Sequence, residues 1–206
     1  MGDVLSQSEI DALLNAISTG TADESVFQKE SAKEAKDYNF KRPSKFNKDQ
    51  LRTLEIIFDN YSRLISSFLS GYLRTSTTVQ VVNAEQTTYQ EFSNSLVNPV
   101  ILSIVDFSPF KGQILLDLSS NLGFSIIDRI LGGPGYGIKK VREFSEIELI
   151  LIERILSQMI TLLEEPWENV AEINPSIAKI ETNSQFAQII SPNEMIALIT
   201  LNIKLG

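Results

Sequence analysis

The sequence predicts an α/β domain with a mostly antiparallel sheet over residues 38–206, preceded by a disordered tail. From residue 47 onward, apolar residues at helical spacing alternate with runs of β-branched and aromatic residues, which is typical of a mixed domain. The order of these segments repeats after about 97 residues, which predicts two copies of one unit around a shared core. The tail has too little apolar surface to offset the entropy of ordering it.

Composition removes several classes of function. The chain has 206 residues without cysteine or histidine, which excludes disulfides, thiolate nucleophiles, Ser-His triads and histidine-ligated zinc. An enzyme would have to use carboxylates, lysine, tyrosine or a metal held by oxygen ligands, and we expect neither a cofactor nor a metal site. The net charge is −8, which argues against nucleic acid as a partner. No long apolar run and no secretion signal occur, so we expect no membrane span and a cytoplasmic location.

Residues 5–17 are predicted to form one short amphipathic helix. Ser6 and Glu9 have the spacing of a capping box. The apolar residues of this helix share one face, namely Ile10, Leu13, Leu14 and Ile17. A helix of this length is marginal in water, so its apolar face needs a surface to cover. That surface is either the chain's own domain or the groove of a partner.

Residues 18–37 are predicted to be a flexible linker. They are small, polar or charged apart from Val26 and Phe27, a composition typical of disorder. A capped amphipathic helix at the end of such a linker favours the second interpretation, a tethered docking peptide that folds on its partner. We expect residues 1–37 to be disordered when no partner is present.

Within the domain, the pattern predicts three helices and five strands. The helices are expected at 47–73, 121–131 and 146–164, with N-caps at Asn47, Asn121 and Ser145. The strands are expected at 77–92, 99–107, 112–118, 177–190 and 195–205. Gln50 and Glu148 complete capping boxes, and Pro166 is expected to end the last helix. Because 146–164 is apolar nearly all round, we expect it to be covered on more than one side.

The internal repeat is visible when Phe46 is set against Phe144. The helices 47–73 and 146–164 then align, and the strands follow in the same order. We therefore expect two helices related by a pseudo-twofold axis that flank the sheet in an α/β/α arrangement. The second copy stops at residue 206, where the first continues into a further strand, so the sequence predicts a domain cut short by one strand.

A glycine-rich segment, Gly132-Gly-Pro-Gly-Tyr-Gly137, follows the predicted helix 121–131. A dinucleotide-binding loop is excluded by order, because its glycines would follow a strand and open a helix. Gly132 suits the end of a helix, but a simple cap needs only one glycine. Two interpretations stay open: a contact loop that a partner's backbone approaches closely, or turn geometry alone.

The N-terminal peptide, the segment Tyr38–Pro43 and the Gly132–Gly135 loop together resemble the FliM family of bacterial flagellar motor switch proteins, and the resemblance covers essentially the whole chain. The positions that match the family's peptide are Leu5, Ser6, Gln7, Glu9, Ile10, Asp11, Leu13 and Leu14. The loop positions that match are Gly132, Gly133, Pro134 and Gly135. Ser8 stands where alanine is common in the family and leaves the apolar face intact.

The resemblance implies a fold, partners and a location. It implies that the peptide 1–17 binds the phosphorylated response regulator CheY, and that the loop binds the rotor protein FliG. It implies a middle domain similar to the CheC and CheX phosphatases, a further C-terminal domain beyond this chain, and control of the direction of flagellar rotation in chemotaxis. Neighbouring FliM subunits and other switch-complex proteins are further implied partners, in a ring at the cytoplasmic face of the inner membrane.

The alternative function is a CheC-type phosphatase, which would need Glu and Asn one helical turn apart. The repeated helices offer Glu55 with Phe58 and Glu153 with Leu156, so both lack the amide. The one Glu-x-x-Asn match, at residues 91–94, is expected at a strand end, where the two side chains would not share a helix face. No catalytic residue is therefore predicted.

Overall fold

A computed structural model describes residues 45–137 and 142–206, which belong to the compact unit Ser44–Gly206. The predicted peptide 1–17, the linker 18–37 and the first residues of the predicted domain lie outside the described residues. The elements in chain order are α1 (Lys48–Leu73), β1 (Thr77–Thr88), α2 (Tyr89–Ser95), β2 (Ile101–Ser108), β3 (Gln113–Leu118), α3 (Ser120–Ile130), α4 (Glu146–Thr161), α5 (Glu164–Trp167), β4 (Asn174–Glu181) and β5 (Met195–Leu205).

The two long helices begin at the predicted capping boxes. At the start of α1, Gln50 N donates to Asn47 Oδ1 at 2.7 Å, and Asn47 N donates to Gln50 Oε1 at 2.9 Å. At the start of α4, Ser145 N donates to Glu148 Oε2 at 2.8 Å, and Glu148 N donates to Ser145 Oγ at 3.4 Å. These boxes occupy equivalent positions of the internal repeat, so each copy uses the same device to start its helix.

All strand pairings of the described residues are antiparallel, in one sheet of order β1-β5 and another of order β3-β2-β4. In the repeat, β4 is the counterpart of β1 and β5 is the counterpart of β2. The β1–β5 pairing therefore corresponds to the β4–β2 pairing. Each pairing contains a register shift at one unpaired residue, which is Val82 in β1 and Ala178 in β4. These two bulges also fall at equivalent positions of the repeat, so the predicted pseudo-twofold arrangement is confirmed down to the register of the strands.

The helices lie against these sheets, α1 on β1 and β5 and α4 on β4. Side chains of both long helices meet in the main core, where the Tyr61 hydroxyl donates to the Met159 carbonyl oxygen at 2.9 Å. Burial raises the pKa of Tyr61. Tyr61 and Met159 are themselves equivalent positions, so the contact lies where the two copies meet.

Two predicted strands are shorter than expected. Residues 89–95 form the helix α2, because the Thr88 side chain accepts from Glu91 N and Glu91 accepts from Thr88 N in a third capping box. The strand predicted at 177–190 is wrong at both ends, since β4 spans Asn174–Glu181 and residues 184–186 form a 3-10 turn. Asn183 starts that turn by accepting from Gln185 N at 3.0 Å. In both places a local side-chain cap competes successfully with the strand.

Two expectations about the helices are also corrected. Ser119, not Asn121, caps α3. The last long helix ends at Thr161, and Pro166 lies inside the short α5, where a missing N–H is tolerated. Helix α4 packs against both β4 and α3, so it is covered on more than one side as expected, although Ile147 and Ile150 are 73% and 64% exposed.

Candidate functional site

The glycine loop begins as a tight ending of α3. Gly133 N donates to the Asp128 carbonyl oxygen at 2.7 Å, and Gly132 N donates to the Arg129 carbonyl oxygen at 3.1 Å. This pair of bonds, with Gly132 at φ +89°, is a Schellman motif. Only glycine adopts such a φ without strain, so Gly132 is required by the helix ending itself.

The side chain of Asp128 holds the next part of the loop. Its Oδ2 accepts from Gly135 N at 2.7 Å, while its backbone carbonyl accepts from Gly133. A Cβ on Gly133 would lie only 2.6 Å from Asp128 Oδ2. Gly133 therefore leaves room for the carboxylate that fixes Gly135.

Arg129 ties the same loop to the end of α1. Its Nη1 donates to the Gly133 carbonyl oxygen at 3.2 Å, and its Nη2 donates to the carbonyl oxygens of Leu73 at 3.0 Å and Arg74 at 2.9 Å. A cation at the C-terminal end of α1 is also favoured by the helix dipole. A Cβ on Gly135, which has φ +86°, would lie 2.7 Å from Arg129 Cδ.

The remaining glycine of the loop also has a local reason. Gly137 has φ +69°, and a Cβ there would meet Asn121 Oδ1 at 2.8 Å and Ser125 Oγ at 2.9 Å. All four glycines of the segment are thus explained by the loop's own conformation or by close contacts with α3. The interpretation of turn geometry accounts for the glycines, and a contact role has to rest on what the loop presents.

What the loop presents is apolar and open. Leu131 and Tyr136, on either side of the glycines, are 74% and 88% exposed, and Pro134 between them is exposed as well. A shallow cleft of about 450 Å³ separates the loop from residues 72–74 at the end of α1. Apolar side chains displayed on a fixed turn are typical of a protein contact surface.

Sequence reasoning missed Asp128 and Arg129, which hold this surface in place. One signal was available: an aspartate in the last turn of a helix is unfavourable for the helix dipole, so Asp128 called for a compensating role. Its partner, the amide of Gly135, is set by the loop conformation and could not be read from spacing. The contacts of Arg129 depend on the placement of α1, which is tertiary information.

The phosphatase alternative depends on the Glu-x-x-Asn match at residues 91–94. Glu91 and Asn94 lie within α2, so the expectation that they sit at a strand end is wrong. Glu91 is, however, engaged in the capping box, where it also accepts from Thr87 Oγ1 at 2.9 Å. Within 45–137 and 142–206, no group of acidic side chains could hold a metal ion, and no helix is long and apolar enough to cross a membrane.

Comparison with known proteins agrees with this fold. A family model described as flagellar motor switch protein FliM matches residues 47–206. The FliM protein of Bacillus subtilis is 40% identical over 206 residues, which are 100% of this chain and 62% of that protein. The chain thus spans about three-fifths of the length of such curated relatives.

Solved structures extend the comparison to three dimensions. A crystal structure of a FliG–FliM complex from H. pylori contains a chain with a TM-score of 0.76 and 35% identity, over 78% of this chain and 88% of that one. Thermotoga maritima FliY matches with a TM-score of 0.70 at 17% identity, over 79% of this chain and 86% of that one, a likeness of fold alone.

The fold is therefore that of a bacterial flagellar motor switch domain. More narrowly, the chain belongs to the FliM family. The predictions of the family and of its fold class are confirmed.

Proposed function

We propose that this chain is a component of the flagellar motor switch and binds the rotor protein FliG through the glycine loop. The observation that carries the proposal is the rigid turn that displays Leu131, Pro134 and Tyr136 to solvent. The related chain from H. pylori was crystallised in complex with FliG, which supports the same partner for this chain. Gly132, Gly133, Pro134 and Gly135 form the backbone of the proposed contact.

A second partner of the proposed switch component is phosphorylated CheY, bound by the N-terminal peptide. The support is the apolar face of residues 5–17 and its capping residue Ser6, which lie outside the described residues. Binding of CheY by the peptide and of FliG by the loop, in one chain, would link the chemotaxis signal to the direction of rotation.

The proposed role is non-catalytic, and its place is the flagellar basal body at the cytoplasmic face of the inner membrane. Neighbouring FliM subunits and other switch-complex proteins complete the proposed set of partners. This part of the proposal rests on membership of the FliM family.

Binding of FliG by the full chain tests the loop. Gly132→Ala forces alanine to adopt φ +89°, and Gly133→Ala drives a methyl group into the Asp128 carboxylate. We expect each variant to weaken FliG binding by about tenfold or more, which is a loss of about 1.4 kcal/mol. Affinity is measured by titration calorimetry at fixed salt.

Two glycines provide matched controls. Gly112 in the β2–β3 turn has φ +137°, so Gly112→Ala introduces a similar backbone strain away from the loop, and Gly71→Ala lies in α1 with no atom near the new methyl group. Both variants should bind FliG like the unmodified chain. If the loop variants also bind normally, FliG does not contact this loop and the proposal fails.

Binding of CheY is tested with a peptide of residues 1–20, with and without a phosphoryl mimic on the regulator. Ile10→Ala and Leu13→Ala should each weaken binding by about 10- to 100-fold, because a buried Ile or Leu side chain contributes about 1.5–3 kcal/mol. Ser6→Ala should cost about 1 kcal/mol, since it acts by capping the bound helix. Ser8→Ala is the control, and equal binding by all variants would refute the docking face.

A further inference from the structure

We infer that Asp128 and Arg129 are positioning residues for the FliG contact: they hold the glycine loop in its binding conformation without forming part of the surface it presents. The inference rests on the proposed function, because it assigns these two side chains a role in the same contact. Neither residue belongs to the glycine segment that the resemblance identified.

Asp128 holds the loop by accepting hydrogen bonds from its amides. Its backbone and side chain together bind the amides of Gly133 and Gly135, so the two residues that flank Pro134 are both fixed to one helical residue. Pro134 has no amide to donate, and its restricted φ reduces the alternatives further. A charge-assisted bond from an amide to a carboxylate is stronger than one between neutral groups.

Arg129 holds the loop by donating hydrogen bonds to backbone carbonyl oxygens. One guanidinium group donates to carbonyl oxygens of Gly133, Leu73 and Arg74, so it joins the loop to the end of α1. The planar fork of arginine can reach these three acceptors at once, whereas the single ammonium group of lysine cannot match the same geometry. The loop is therefore anchored at both of its faces by neighbouring residues of α3.

This anchoring matters for binding because a loop ordered in advance loses less conformational entropy when the partner binds. Leu131 and Tyr136 are strongly exposed and make the proposed contact, while Asp128 and Arg129 are half-buried beneath it. Removing either anchor should leave the apolar surface chemically unchanged but less ordered. Affinity for FliG should fall although no contacting side chain has been removed.

The test compares Asp128→Ala with Asp128→Asn, and Arg129→Ala with Arg129→Lys, in the full chain. Two quantities are measured: affinity for FliG, and hydrogen exchange of the Gly133 and Gly135 amides in the chain without FliG. Asp128→Ala and Arg129→Ala should each weaken binding by about tenfold. Asp128→Asn keeps an acceptor oxygen and should stay within about threefold, whereas Arg129→Lys should fall between Arg129→Ala and the unmodified chain.

Hydrogen exchange supplies the readout that a general loss of stability would not imitate. Asp128→Ala should speed exchange of Gly135, while amides of the core strand β2 keep their protection. Asp59→Ala and Arg63→Ala are matched controls, because these residues form an exposed ion pair one turn apart on α1, with Arg63 Nη2 donating to Asp59 Oδ2 at 2.7 Å. Both controls should leave FliG binding and glycine exchange unchanged.

The outcomes separate the inference from the proposed function. Asp128→Ala and Arg129→Ala could speed exchange of the glycine amides and still bind FliG normally, while Gly133→Ala weakens FliG binding. In that case the positioning role is wrong and the contact stands. If the glycine amides keep their protection in both alanine variants, the inference is also overturned. If neither the anchor variants nor the loop glycine variants affect FliG binding, the loop contact itself is refuted. Should Arg129→Ala unfold α1, normal FliG binding by Arg129→Lys with accelerated glycine exchange would overturn the role of Arg129.

Discussion

The two halves of the domain share one arrangement of long helices and paired strands, which we call the frame, but they differ in their exposed surfaces. The start of each long helix, the strand pairings and the bulges at Val82 and Ala178 all follow the repeat. The first half continues through β3 and α3 into the glycine loop. The repeat therefore explains the frame, whereas the proposed function depends on the glycine loop that follows α3 in the first copy.

The long helices show the same division between frame and surface. Ile57 and Ile155 are equivalent in the repeat and are 5% and 1% exposed. On the outside of α4, by contrast, Ile147 and Ile150 are strongly exposed, while the equivalent residues of α1 are Asp49 and Arg52. Burial is thus preserved between the copies, and the exposed surface has diverged.

The largest expected effect tests whether both halves contribute equally to one core. Ile57→Ala and Ile155→Ala should each lower the free energy of unfolding by about 2–5 kcal/mol, through lost burial and the cavity left behind. Ile147→Ala, on the exposed side of α4, should change it by less than about 0.5 kcal/mol. Urea denaturation of the three variants provides the comparison. A loss confined to one half would contradict a shared core.

The next effect compares a glycine of the frame with one of the loop. Gly133→Ala should destabilise the chain by about 1–3 kcal/mol, because the methyl group has no room beside Asp128. Gly71→Ala should stabilise it by about 0.4–1 kcal/mol, because alanine has less conformational entropy than glycine in the unfolded chain and the new methyl group displaces no atom. In the double variant Asp128→Ala with Gly133→Ala, the loss should be smaller than the sum of the two single losses. Additive losses would show that the two residues do not compete for the same space.

The sequence predicted the frame well because its signals are local. The capping boxes at Asn47 and Ser145 each lie within one helical turn, and the repeat relates segments whose order is visible in one dimension. The prediction failed at residues 89–92 and 182–190, where β-branched and aromatic residues favoured a strand but side-chain caps at Thr88 and Asn183 end it.

The site was only partly predictable for a different reason. The loop and the helix ending at Gly132 could be located from residue types alone. The bond from Gly135 to Asp128 and the bonds from Arg129 to the end of α1 join residues whose approach is determined by the fold. The peptide 5–17 lies outside the described residues, so its docking role stays a prediction.

A smaller effect asks whether the two capping boxes are equivalent in energy as well as in position. Asn47→Ala and Ser145→Ala should each lower the free energy of unfolding by about 1 kcal/mol, since each leaves a helix amide without its acceptor. Replacement by Gly at the same positions should cost only a few tenths of a kcal/mol. Chemical denaturation at neutral pH provides the measurement. A difference of more than about 1 kcal/mol between the two alanine variants would contradict the equivalence.

The smallest effect distinguishes the boxes by their response to acid. In the second box, Arg142 Nη2 donates to Glu148 Oε1 at 2.6 Å and Arg142 Nη1 donates to Glu148 Oε2 at 2.8 Å. This contact, helped by the bonds from Ser145, lowers the pKa of Glu148 from its ordinary 4.5 to about 2. The equivalent residue of the first box, Gln50, does not titrate.

Because the pKa of Glu148 is lower in the folded chain than in the unfolded chain, its contribution to stability is present above pH 4.5 and is lost as the pH falls towards about 2. Glu148→Gln makes the two boxes alike, so the difference in unfolding free energy between the unmodified chain and this variant should shrink steadily over that range. Gln50→Glu is the control: position 44 of the first copy is serine where the second has Arg142, so this variant places a carboxylate in the box without that arginine and should give a weaker acid dependence. Urea denaturation at pH 7, 4.5 and 3 measures all three chains. Parallel loss of stability in the unmodified chain and Glu148→Gln would show that the Arg142 pair does not distinguish the two halves.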